Sequence, residues 1–190
     1  MKRLIGFVTL LMACLMLMTG CQATFEKDKL SDDDVALVDA SGKTILKYGM
    51  TRENVEKTFG VGEEDEDMKW VMYADDMTSV WYRDGKVVGY VCNNAAYSTP
   101  RGITVGSAAN EVRSAYGITS LNEVKTDISE EDKTSYFYCY DTRYKTSFNT
   151  DMPVKNDNLK KRFSVAILIN EEHKVENFSA VDALMGFYLE

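Results

Sequence analysis

The sequence predicts an α+β protein made of two tandem repeats. Each is a short helical segment packed on an antiparallel β-meander, and together they form one compact body behind a signal peptide and a flexible linker. Three observations predict this. The stretch GMTRENVEKTFG at 49–60 recurs in outline as GSAANEVRSAYG at 106–117, with glycine, valine, an aromatic and glycine repeated 57 positions later. Each copy is followed by runs of alternating, β-branched or aromatic residues, the pattern of half-buried strands. Each half holds roughly sixty to ninety residues, a size at which an isolated core is marginal, so the halves must cover one another.

The first twenty residues stand apart. Lys2 and Arg3 precede an apolar run from Leu4 to Leu17, the layout of an export signal and shorter than the roughly 20 residues of a membrane span. Residues 21–34 follow as the segment between signal and body, polar and without periodicity from Gln22 on, which predicts a flexible linker.

Repeat 1 is placed at 35–97. VALV and KTILKY flank the turn residues DASG and predict two short strands. Thr51 is placed as an N-cap, Met50 and Val55 as a hydrophobic staple, and Gly60 as the stop of a helix whose buried side carries Val55 and Phe59. Strands are predicted at 69–74, 78–83 and 86–92, the last two joined by the hairpin pair Asp84-Gly85.

Repeat 2 is placed at 98–190, with Ser-Thr-Pro-Arg-Gly at 98–102 as the joint between halves. Ser107 takes the capping place, Val112 and Tyr116 stand where Val55 and Phe59 stood, and Gly117 matches Gly60. Strands are predicted at 134–140, 163–170 and 174–181. Residues 141–162 form an inserted loop, pinned against the sheet by Tyr144 and Phe148.

At Met18–Cys21 the chain reads MTGC, small residues before a cysteine at the end of the apolar run. This resembles the lipobox of bacterial lipoproteins, with Met18 where leucine is usual. The resemblance implies a diacylglyceryl group on Cys21 and attachment to the cell membrane on its extracytoplasmic face. The paired glycine-bounded modules resemble the tandem-repeat proteins of the β-lactamase-inhibitor-protein-like (BLIP-like) fold, and the single-module lipoproteins of the SmpA/OmlA (BamE) family. Such a family implies an open sheet surface that grips another protein. It does not imply β-lactamase inhibition, because Asp84 is explained by its turn.

Without Lys2 and Arg3 the chain keeps 20 basic against 30 acidic residues, a charge of about −10, which repels nucleic acid. Once Cys14 leaves with the signal and Cys21 carries lipid, Cys92 and Cys139 remain, either as a disulfide or as two buried thiols. The lone histidine, His173, falls in a predicted turn among Glu171, Glu172 and Lys174 and reads as a solvated surface residue. No nucleophile elbow, zinc-ligand helix or phosphate loop is present, so no enzyme activity, cofactor or metal is expected. The acidic run GEEDEDM at 62–68 reads as carboxylates splayed into water rather than as Glu63, Asp65 and Asp67 holding a cation.

Alternation on 134–140 sends Tyr136, Tyr138 and Tyr140 to one face and Phe137 and Cys139 to the other. The tyrosines either face outward as a binding ladder or pack beneath the inserted loop. The leading expectation is a non-catalytic envelope lipoprotein that binds a protein or glycan through Tyr136, Tyr138 and Tyr140, helped by Trp81 and Tyr82. The alternative is a structural or assembly lipoprotein of the envelope, with a hydrolase of unrecognised site behind it.

Overall fold

The computed structural model describes residues 25–73, 77–119, 121–126, 133–147 and 160–185. Strand makes up 47% of it, against two helices of eight residues each, α1 (Arg52–Phe59) and α2 (Ala109–Tyr116). The α+β class with two tandem helix-on-meander repeats is therefore corrected, because the chain is mostly β. Among the described residues it forms one nine-stranded and one three-stranded antiparallel sheet.

In the small sheet β1 (Ala36–Asp39) lies between β2 (Thr44–Lys47) and β7 (Tyr97–Ser98). The large sheet runs β10 (Thr146–Ser147), β9 (Lys133–Asp141), β11 (Arg162–Ile169), β12 (Val175–Asp182), β6 (Lys86–Cys92), β5 (Thr78–Arg83), β4 (Trp70–Tyr73) and β3 (Glu63–Asp65). A further strand, β8 (Leu121–Thr126), also pairs with β9. Separate meanders would leave β6 and β12 as edges with unpaired backbone groups. Their pairing, from Gly89 opposite Val181 to Cys92 opposite Phe178, removes both edges and makes one sheet of the two halves.

What recurs between the halves is local. Gly49 N donates to Val87 O and Gly106 N to Val175 O; Val87 N donates to Met50 O and Val175 N to Ser107 O. Arg52 N reaches Gly85 O as Ala109 N reaches His173 O. Each helix is thus started from the hairpin beside it, and each ends on a glycine, Gly60 at φ 84° and Gly117 at φ 98°. Thr51 holds the N-cap place without a side-chain bond. Ala108, not Ser107, caps α2, and Glu111 supplies the stabilising bond to the Ala108 N–H at 2.8 Å.

The main core lies between one face of the large sheet and a cover made of both helices and the small sheet. Val55, Val112, Leu37, Leu46, Tyr90 and Phe178 are fully enclosed there. Phe59 is half-buried, its ring 5.8 Å from Tyr73 and 5.7 Å from Tyr97. Tyr90 ties the layers together by donating its hydroxyl to Ala36 O at 2.9 Å.

The linker predicted over 21–34 is corrected for its described part. Asp28 N donates to Tyr116 O at 2.7 Å, Leu30 is buried, and Asp32–Asp34 form a 3-10 turn capped by Ser31. Arg101 holds the segment down. Its guanidinium meets Asp34 at 2.6 and 3.3 Å, donates to Glu26 O at 3.0 Å, to Ala115 O at 3.1 Å and to Lys29 O, and lies over the rings of Phe25 and Tyr116. The expected joint at 98–102 is therefore a packed corner rather than a linker. The polar sequence of 25–34 hides this because its polar groups are satisfied by one buried cation.

Candidate functional site on the open face of the large sheet

Alternation along β11 sends Phe163, Val165, Ile167 and Ile169 into the core and leaves Ser164, Ala166 and Leu168 half-buried on the other face. Register extends this second face across the sheet. Phe137 on β9 stands opposite Ala166, Ala166 opposite Ser179 on β12, Ser179 opposite Val91 on β6, Val91 opposite Ser79 on β5, and Ser79 opposite Met72 on β4. The result is a row of small and apolar side chains crossing six strands. Among the described residues no helix or second sheet is packed on it, although Ser79, Trp81, Val88 and Cys139 on this face are buried and Met185 packs at one side.

One end of the face carries a tryptophan pair, Trp70 and Trp81, with ring centroids 5.2 Å apart and planes at 48°. Trp81 is 6% exposed, packs with Val88 and Met185, and donates its indole N–H to Met68 O at 3.2 Å. The Trp70 indole N–H is buried and meets no acceptor among the described residues. Beside it lies a shallow concavity of about 330 Å³ bordered by Arg52, Glu64, Asp65, Lys69 and Tyr82. Arg52 at its rim is paired with both Glu56 and Glu64.

The predicted binding residues are placed differently. Tyr136, Tyr138 and Tyr140 are 3%, 1% and 6% exposed and belong to the core, so they do not form an outward ladder. Register decides this, because they stand opposite Ile167, Val165 and Phe163, all core residues. Tyr138 stacks on Tyr116 at 5.0 Å, and its hydroxyl reaches Gly117 O at 3.3 Å. Trp81 is likewise buried. Tyr82 is half-buried, its hydroxyl 3.0 Å from that of Tyr73 and its ring under the Arg52 guanidinium at 5.9 Å. Burial, then the bond to Tyr73, pushes the Tyr82 hydroxyl pKa well up.

Cys92 and Cys139 are free and buried, so the disulfide alternative is corrected. Cys92 faces the main core and Cys139 the open face beside Ser164, with β11 and β12 between their strands. Three strand spacings separate them by about 14 Å, beyond the reach of a disulfide. Burial raises both thiol pKa values.

His173 is exposed in the β11–β12 turn at φ 58°. Within the acidic run, Glu64 pairs with Arg52, and the Asp65 carboxylate accepts from Asp67 N at 3.0 Å and Met68 N at 2.9 Å. No group of three metal-ligating side chains is gathered among the described residues. Tyr144 is 69% exposed under the Arg143 guanidinium, not pinned to the sheet. Cys21 and Phe148 lie outside the described residues.

No family model matches the chain. No curated protein matches it either. Among solved structures it is similar to a 1.5 Å crystal structure of an extracellular protein containing an SCP domain from Bacillus anthracis strain Ames, at 12% identity and a TM-score of 0.46. The match covers 86% of this chain and 52% of that one, so the chain spans about half that protein's length. A likeness at this level carries no argument about activity.

Proposed function

We propose that this chain is an exported, non-catalytic binding protein, anchored to the extracytoplasmic face of the cell membrane through lipid on Cys21, and that it holds a protein partner on the open face of its large sheet. The leader, with Lys2 and Arg3 before an apolar run and MTGC at its end, supports export and lipidation. Two acyl chains give stable anchoring where one is marginal.

The observation that carries the binding reading is the row from Phe137 through Ala166 and Val91 to Met72, with Leu168 beside it, on which no helix or second sheet is packed among the described residues. Half-buried apolar side chains among small neighbours offer flat area and shape fit, which is how a sheet face meets another protein. Glu63 and Asp65 flank the Met72 and Trp70 end. The partner is therefore a protein surface apolar at its centre and cationic at its rim, since charge complementarity sets orientation and on-rate.

A photo-crosslinking residue at Leu168 in living cells tests this. One discrete adduct is expected, its crosslinked peptide carrying apolar residues flanked by Lys or Arg, and Phe137→Glu should reduce its yield at least tenfold without lowering the melting midpoint. An adduct whose yield is unchanged by Phe137→Glu, or one formed only with a second copy of this chain, overturns the reading.

A further inference from the structure

The lipid reading leaves very little chain between anchor and body. Phe25 is already seated beside Arg101, with the guanidinium 5.0 Å from its ring centroid. Gln22, Ala23 and Thr24 are the residues between it and Cys21. Four residue steps at full extension reach about 14 Å.

The surface around Phe25 is also unusual for this protein. Ser147 donates its hydroxyl to Asp28 O at 3.4 Å, bringing the β9–β10 turn alongside. That turn presents Tyr144, 69% exposed, and Lys145. On the other flank Gly117 lies against Asp28, and the next residue, Ile118, is 70% exposed. A concavity of about 360 Å³ between the two segments is bordered by Phe25, Glu26, Lys29, Asp33, Tyr140 and Lys145. Glu26, Lys27, Asp28 and Lys29 alternate in sign, so the patch carries no strong net field. An exposed aromatic, an exposed aliphatic and lysines with long stems suit the headgroup boundary of a bilayer, where amphipathic side chains settle.

We propose that this end of the body, comprising Phe25, Lys27, Lys29, Ile118, Tyr144 and Lys145, rests on the membrane surface and so fixes the orientation of the whole molecule. The proposal rests on lipidation of Cys21. Because β9 and β10 lie at the tether end of the large sheet, β3 at the other end is held away from the bilayer. Six strand spacings between β9 and β3 amount to about 29 Å. The open face then stands as a wall rising from the membrane, turned toward a partner beside it.

The test uses full-length acylated protein in phosphatidylcholine–phosphatidylglycerol vesicles carrying a nitroxide on the headgroup. A bimane label is placed at Tyr144→Cys or at Glu64→Cys, since the buried Cys92 and Cys139 do not compete for it. Quenching at 144 is expected to exceed that at 64 at least threefold, and twelve Gly-Ser residues inserted between Ala23 and Thr24 should collapse the gap. Equal quenching at the two positions in an acylated sample, or a gap that survives the insertion, overturns the orientation alone. Intact mass showing no diacylglyceryl on Cys21 overturns the lipid reading and the orientation with it.

Discussion

Gly89 on β6 and Val181 on β12 meet so closely that a Cβ on residue 89 would lie 2.4 Å from Val181 Cγ1 and 2.9 Å from its Cβ. This contact sits where the two halves of the chain join into one sheet, with Gly89 and Val181 paired across the boundary. Val181 closes over the bare backbone and packs toward the Trp81 cluster.

Gly89→Ala is therefore expected to destabilise the fold, although glycine within a strand normally weakens it. The added methyl must displace Val181 or the nearby Ala180 O at 3.0 Å. Overpacking of this kind costs about 1–3 kcal/mol. Urea denaturation should show a lower midpoint at unchanged slope, and Val181→Ala in the same chain should recover part of the loss. A midpoint equal to wild type would mean that the boundary yields freely.

Arg101→Ala is expected to be among the most damaging single changes. The side chains of Arg101 and Asp34 are 3% and 1% exposed, so truncation strands a buried carboxylate and frees three backbone carbonyls. Breaking a buried pair in this way costs about 3–5 kcal/mol. Arg101→Lys should not rescue it, because an ammonium cannot reproduce the planar fork that meets Asp34 twice. Limited proteolysis supplies the second readout, with cleavage after Lys27 or Lys29 appearing in the variant before any cut in the sheet. Equal protection of that segment in wild type and variant would remove Arg101 as its anchor.

How much of this was legible in the sequence depends on which physical signal each element writes. Strands β5 and β6 were readable to the residue, because β-branched and aromatic runs flank Asp84-Gly85, whose φ angles of 54° and 68° are those the hairpin turn demands. The turns of helix at Val55 and Val112 were readable from glycine and apolar spacing. Strands β3 and β8 were not, since Glu63–Asp65 and Leu121–Thr126 owe their conformation to a neighbour's free edge rather than to their own side chains. The tyrosine face was ambiguous for a related reason. Alternation tells which residues share a face, whereas register with β11 tells which face is inside. The row from Phe137 to Met72 went unread for the same cause, being assembled from single residues on six strands. The docked segment 25–34 was missed because one distant arginine, not local periodicity, orders it.

Asp141 makes a pH prediction whose sign follows from its partners. It ends β9, is buried, and accepts from Arg143 N at 3.0 Å, Arg143 Nε at 3.1 Å, Arg143 Nη2 at 2.7 Å and Arg162 Nε at 2.7 Å. Burial alone would raise its pKa, but the bonds from Arg143 and Arg162 outweigh it and bring the carboxyl down to about 2. In the unfolded chain the same group titrates near 3.9. Between these values the unfolded state takes up a proton that the folded state refuses, so acid favours unfolding. The contribution is fully present above about pH 4 and is lost as pH falls toward 2. Asp141→Asn lacks this titration while sharing every other carboxylate with wild type. Urea midpoints of the two proteins, measured from pH 6 down to 2, should therefore keep a constant separation above pH 5 and draw together below pH 4. A separation that holds unchanged through pH 2.5 would mean that Asp141 is not held ionised by its two arginines.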